Sequence, residues 1–151
     1  MPTFRTTRRV AHTPQQMFDL VADVDAYPEF VPLCEELRVR RRVQSGEGIE
    51  TLVAEMSVGY KAISERFTTR VTLDRPRLRI LVEYVNGPFS YLENRWSFVP
   101  RAGGADIEFF ITYEFKSRTL GMLMGTMFDR AFRKFTDAFE GRANRMYGAG
   151  A

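Results

Sequence analysis

The sequence is short of the residues that most often carry chemistry. Among its 151 residues there is one cysteine, Cys34, and one histidine, His12. A single cysteine excludes an internal disulfide framework and any zinc-finger spacing. There is no Ser-centred nucleophile elbow, Walker loop, dinucleotide-binding glycine pattern or metal-spaced cluster. Long hydrophobic runs are missing too. The most apolar-looking patch, LGMLMGTMF from Leu120 to Phe128, is far short of the ~20 residues that a membrane span requires. The opening stretch, MPTFRTTRRVAHTPQQ, lacks the apolar segment of a secretory signal. The expectation is a soluble, cytoplasmic protein that at most touches the inner face of a membrane. The net charge of +3 is too mild to name a partner.

What the chain does have is rings. Phenylalanine alone contributes 13 residues, and aromatics make up 13% of the sequence. With 44% hydrophobic and 27% charged residues the composition is that of a globular protein large enough to bury a core without staples. No linker, repeat or low-complexity segment interrupts it, which predicts one domain over residues 1–151.

The hydrophobic periodicity changes three times along the chain. A β-prone stretch, PTFRTTRRVAHT, precedes TPQQMFDLVADV, where Thr13 suits an N-cap and Pro14 a first helical position. Met17, Phe18, Leu20, Val21 and Val24 give this helix its apolar face. Two prolines, Pro28 and Pro32, then force a bent corner in YPEFVPLC, because the residue before a proline is pushed out of helical geometry.

From Leu37 the period is two. The alternation places Leu37, Val39, Arg41 and Val43 inward and Arg38, Arg40 and Arg42 outward. Leu52, Ala54, Met56 and Val58 follow on the inner face, then Ile63, Phe67, Val71 and Leu73, with Glu65 in the same phase. Leu78, Ile80, Val82 and Tyr84 come next. Leu92, Asn94, Trp96 and Phe98 occupy the following strand, and Ile107, Phe109, Ile111, Tyr113 and Phe115 the last. Turns at SGEG, DRPR and RAGGAD separate these segments and predict an antiparallel sheet. From SRTLGML onward the period is helical for roughly 28 residues, long enough at about 1.5 Å each to cross the sheet. The predicted fold is α+β: a curved antiparallel sheet of about seven strands wrapped around a long C-terminal helix, with short helices after the first strand.

Such an arrangement leaves a gap wherever side chains fail to fill the space between sheet and helix. The YPEFVPLC corner would form its rim or lid, or else a tight corner packed into the core. The candidate ligand-binding residues are Tyr27, Pro28, Phe30, Val31 and Pro32 from this corner. The sheet adds Asn94, Trp96, Phe109 and Tyr113. Phe89, in the NGPFSY loop, reads as a second lip or as a core-tucked ring. Leu123, Met124, Met127, Phe128, Ala131 and Phe135 are expected on the helix face towards the sheet, where methionines adapt to a flexible ligand. Gly121 and Gly125 weaken the start of that helix, either for close packing or for a yielding gate. Arg41 and Asn94 are inward-phase polar residues that could hydrogen-bond a ligand headgroup, if they are not simply paired or at the rim.

Catalytic readings are poorly supported. His12 reads as a surface residue at a strand end, and Cys34 as a buried small apolar residue. Glu35–Glu36 and Asp106–Glu108 are the kind of carboxylate pairs that arise by chance. No catalytic residue, metal ligand or required cofactor is assigned.

DVDAYPEFVPLC, through Asp23, Tyr27, Pro28, Pro32 and Cys34, resembles the signature of the coenzyme Q-binding protein family, in the START-like, polyketide cyclase-like superfamily. WSFVP and AFEGRANRMYG extend the resemblance along nearly the whole chain. It implies a helix-grip fold with a hydrophobic tunnel and non-catalytic binding of ubiquinone or a related isoprenoid, as a carrier serving respiration. The same family includes ribosome association toxins, which implies the large ribosomal subunit as an alternative partner. The RVRRR stripe at residues 38–42 bears on both readings, as a surface for anionic membrane, for rRNA phosphates or for water alone.

Overall fold

The computed structural model describes residues 2–60 and 62–148. Strand β1 (Thr3–Val10) leads into helix α1 (Pro14–Ala22), whose N-cap Thr13 and Gln16 form a reciprocal capping box. A 3₁₀ turn over Val24–Glu29 continues from it and opens the corner. Six strands follow: β2 (Cys34–Gly46), β3 (Ile49–Tyr60), β4 (Ile63–Asp74), β5 (Arg79–Asn86), β6 (Phe89–Arg101) and β7 (Gly104–Phe115). Helix α2 (Arg118–Tyr147) closes the chain, capped by the Ser117 hydroxyl, which accepts from the Leu120 amide at 3.2 Å.

All seven strands lie in one antiparallel sheet in the order β1-β7-β6-β5-β4-β3-β2. Its concave face carries the core and α2 crosses it. The helix backbone comes close to β7, β1 and α1, whereas β2 to β5 curve away from it.

The inward alternation read from the sequence holds on β3 to β7 and fails halfway along β2. A β-bulge between Val39 and Arg41 inserts one unpaired residue and reverses the facing of everything beyond it. Arg41 therefore opposes Val53, and Val43 opposes Thr51, both on the convex side and exposed. Arg41 is thus not an inward headgroup ligand. The bulge lies on an edge strand, where extra twist and charge discourage pairing with another chain.

His12 also departs from expectation. It is 4% exposed, and its Nε2 lies 2.7 Å from Asn144 Oδ1 on α2, so it fastens the end of β1 to the helix. A lone histidine near a strand end gives no sequence signal for a partner 132 residues away.

Candidate apolar site

Between the concave face and α2 lies a cavity of ≈ 100 Å³. Its origin is a mismatch of reach. On β6 and β7 the inward side chains include Trp96, Phe98, Phe109 and Tyr113, rings long enough to meet the helix. On β2 to β5 they are mostly aliphatic: Leu37, Ala54, Met56, Val58, Val71, Ile80 and Val82. The sheet curves away on that side, and these shorter side chains leave the gap unfilled.

The corner and the helix form the roof. Tyr27, Val31, Pro32 and Leu33 line it from the corner, and Phe128, Ala131, Phe132, Phe135 and Phe139 from α2. Phe139 locks the two together: its ring lies 5.4 Å from Tyr27, 5.0 Å from Phe30 and 5.0 Å from Trp96. Such edge-on contacts add about 0.5–1.5 kcal/mol each beyond area burial. The Tyr27 hydroxyl donates to the Val21 carbonyl at the end of α1. Burial, with smaller contributions from Cys34 and Asp23, holds this phenol far above its ordinary pKa. Leu33 has φ of 67°, an uncommon conformation for a bulky residue, and its carbonyl accepts from the Gly59 amide at 3.1 Å.

The polar content of the lining is small and occupied. Asn94 Nδ2 donates to the Phe110 carbonyl at 2.8 Å, and its Oδ1 accepts from the Trp96 indole N–H at 2.9 Å. Besides Asn94, Thr69 and the Tyr27 hydroxyl supply the polar side-chain atoms, and no carboxylate, histidine, lysine or arginine lines the space among the described residues. Cys34, buried beside the corner, has its thiol pushed up to about 11 by burial and by the neighbouring Glu35 carboxylate. A thiol so protonated is a poor nucleophile at neutral pH.

Of the sixteen candidate residues, the structure brings eight to the cavity: Tyr27, Val31, Pro32, Asn94, Trp96, Phe128, Ala131 and Phe135. The others lie elsewhere. Pro28 is exposed, and Phe30 packs on Phe139 behind the lining. Phe109 sits beneath α2 against Trp96 and Phe135, and Tyr113 beside Phe132 with its hydroxyl 3.5 Å from the Gly125 carbonyl. Met124 is buried away from the cavity and Met127 is half-buried outside it. Leu123 does not face the sheet at all, being 57% exposed.

Phe89 is completely buried, ringed by Phe67, Tyr84, Phe115 and Phe128 at 4.8–5.8 Å, so this loop is a core plug and not a lip. The lining residues missed by the sequence reading are chiefly the aliphatics of β2 to β5 and Phe132. Alternation had already placed most of those aliphatics inward. Phe132 is one helical turn beyond Phe128.

The sequence profile of the family described as "Polyketide cyclase / dehydrase and lipid transport" matches residues 10–140. The chain belongs to this family. Ribosome association toxin RatA of Rickettsia prowazekii is 32% identical over 149 residues, 97% of this chain and 99% of that protein. Coenzyme Q-binding protein COQ10 homolog B, mitochondrial, of Xenopus laevis is 32% identical over 139 residues, 89% of this chain and 54% of the relative. Among solved structures, the 18 kDa protein CC1736 of Caulobacter crescentus is 38% identical, covers 99% of this chain and 100% of its own, and superposes with a TM-score of 0.80. A START superfamily protein of Mycobacterium smegmatis, 21% identical with 95% and 98% covered, gives 0.78 and shares the fold. The architecture is therefore the START-like helix grip, and this member of the polyketide cyclase / dehydrase and lipid transport family carries its cavity in the grip.

Proposed function

We propose that the chain binds an isoprenoid quinone or a closely related apolar lipid in this cavity, without transforming it, and serves as a carrier for respiratory electron transport. The observation that carries the reading is the lining: an almost wholly apolar wall whose one amide, Asn94, is already hydrogen-bonded on both sides. The name of the Xenopus relative, a coenzyme Q-binding protein, supports the same ligand class.

Magnitudes favour greasy length over headgroup. Burying a five-carbon isoprene unit at roughly 0.8 kcal/mol per carbon outweighs the ~1 kcal/mol of one net hydrogen bond. Size sets a further condition. An apolar cavity of about 150 Å³ takes up benzene, so a space of ≈ 100 Å³ accepts an isoprene-sized portion of a ligand. A longer tail requires the corner or α2 to yield. Catalysis finds no acid–base pair in the lining, which supports binding without chemistry.

The test is mild purification, lipid extraction and mass spectrometry, with Ala131→Gln as the control variant. A stoichiometric isoprenoid lost in the folded variant supports the reading; a folded protein that never carries apolar ligand, even when supplied with a short-chain quinone, defeats it.

A second reading rests on the RatA relative, a ribosome association toxin by name, which matches nearly end to end: association with the ribosome. Its natural surface would be the arginine stripe, yet the bulge turns Arg42 to the opposite face from Arg38 and Arg40, and Arg38 pairs with Glu36, Arg40 with Glu55 at 2.8 Å and Arg42 with Glu50 at 2.6 Å. Salt-sensitive co-sedimentation with large ribosomal subunits is the measurement that would favour it.

A further inference from the structure

The first turns of α2 have an outward face unlike the rest of the surface. Met122 is 83% exposed and Leu123 57%, while on the other side of the same turns Met124 and Phe128 are buried in the core. Two adjacent large apolar side chains held in water are a standing cost that covering them would relieve. Lys116 and Arg118 precede them, and Arg130 and Lys134 follow along the helix, all exposed. None of the four is in an ion pair among the described residues, whereas Arg133 is held by Asp129 at 3.0 Å. Between Lys116 and Lys134 five cations face one carboxylate, Asp129. The carboxylates flanking this stretch are engaged: Glu114 accepts from Ser90, and Asp137 pairs with Arg8.

We propose that this end of α2, with Lys116, is a docking surface for an anionic lipid bilayer. Met122 and Leu123 enter the boundary between headgroups and acyl chains, and the four unpaired cations meet the lipid phosphates. A shallow apolar ridge with a basic surround is the recognised chemistry of an interfacial helix. Each Lys or Arg near such a surface contributes only modestly, so neither the ridge nor the cations alone would hold the protein firmly. A nucleic acid would use the cations and leave the ridge in water, so the combination favours lipid.

The two glycines fit this role. A Cβ built on Gly125 meets nothing within 4 Å, and one on Gly121 meets only Phe115 at 3.8 Å, so neither is present for close packing. Each weakens the helix relative to alanine. The turns that meet lipid are therefore softened just before α2 reaches the cavity lining at Phe128.

Docking does not depend on what the cavity holds, and the experiment keeps the two apart. The full chain is floated with phosphatidylcholine vesicles and with vesicles of phosphatidylcholine mixed with phosphatidylglycerol. Binding is expected to the anionic vesicles only, weakening as salt is raised. The double variant M122D/L123D, changed at exposed positions, should stay folded and lose at least about tenfold in affinity. K116E/R118E should lose a similar factor at low salt, while ligand found by mass spectrometry is unchanged in both. Failure to bind anionic vesicles, or undiminished binding by M122D/L123D, overturns the proposal. So does concentration-dependent dimerisation that M122D/L123D abolishes, since the ridge would then be a contact between copies.

Discussion

The two sides of the space under α2 are built from the same strand alternation and end differently. On the β6–β7 side many of the inward residues are rings, and they fill most of the space beneath the helix. Phe109 contacts both Trp96 and Phe135, and Phe89 packs on Phe115 and Phe128 and draws in Phe67 of β4 and Tyr84 of β5. On the β2–β5 side the inward residues are mostly Leu, Ala, Met, Ile and Val, and there the cavity opens. Burial pattern alone does not separate the two, because Leu52 and Val71 are as buried as Phe98. What decides is side-chain length against the curvature of the sheet. A packed core and a ligand cavity differ here by about one ring's reach per strand.

The largest effect that sharpens this contrast is loss of the plug. Phe89→Ala removes a fully buried ring with no room for its neighbours to close over, and should cost ~3–5 kcal/mol in denaturant unfolding. A cost below about 1 kcal/mol would mean that the β6–β7 side is not packed as described. The next comparison makes one substitution on both sides. Ala105→Leu, at a fully buried position on β7, should cost about 1–3 kcal/mol through overpacking. Ala54→Leu, in the cavity wall, should cost less than about 1 kcal/mol because its added carbons enter existing space. It should also weaken uptake of a small apolar probe. Equal costs at both sites would erase the distinction.

Much of this was legible in the sequence, for identifiable reasons. Period-two alternation fixes which face each residue of β3 to β7 takes, and Thr13 and Pro14 spell out the start of α1. The bulge at Arg40 was not legible: one extra residue in a run of arginines leaves no compositional trace, and it turned Arg41 outward. Leu123 was misplaced because an apolar residue in a helical pattern is counted as core by default. The cavity wall was hidden for a different reason. Alternation gives direction and not depth, so the aliphatics of β2 to β5 could not be told from filled core without knowing how far the sheet curves from the helix.

A smaller effect tests whether the wall's polar atoms are structural. Asn94→Leu leaves the buried Trp96 indole N–H without its acceptor and should cost ~1–3 kcal/mol. If Asn94 serves only Trp96 and the Phe110 carbonyl, affinity for an apolar ligand should stay within about threefold once fractional unfolding is allowed for, because a net hydrogen bond to the ligand is worth ~1 kcal/mol. A tenfold loss confined to ligands with a quinone headgroup would assign the amide a recognition role.

The smallest effect concerns Cys34, at the hinge between corner and sheet. Burial raises its thiol from 9.0 to about 11, so the folded state holds the proton more tightly than the unfolded chain. Its contribution to stability is fully present below pH 9 and is lost as pH climbs towards 11. Cys34→Ala should remove the part of the alkaline stability loss that falls in that window, leaving the slope that tyrosine ionisation produces. Alkylation of the native thiol should be slow at neutral pH and accelerate only above pH 9, since the thiolate is the reacting species. Rapid modification at pH 7 that is blocked by a bound apolar ligand would show a corner opening often enough to expose its inner side, and would make the corner, not α2, the part that yields to a longer ligand.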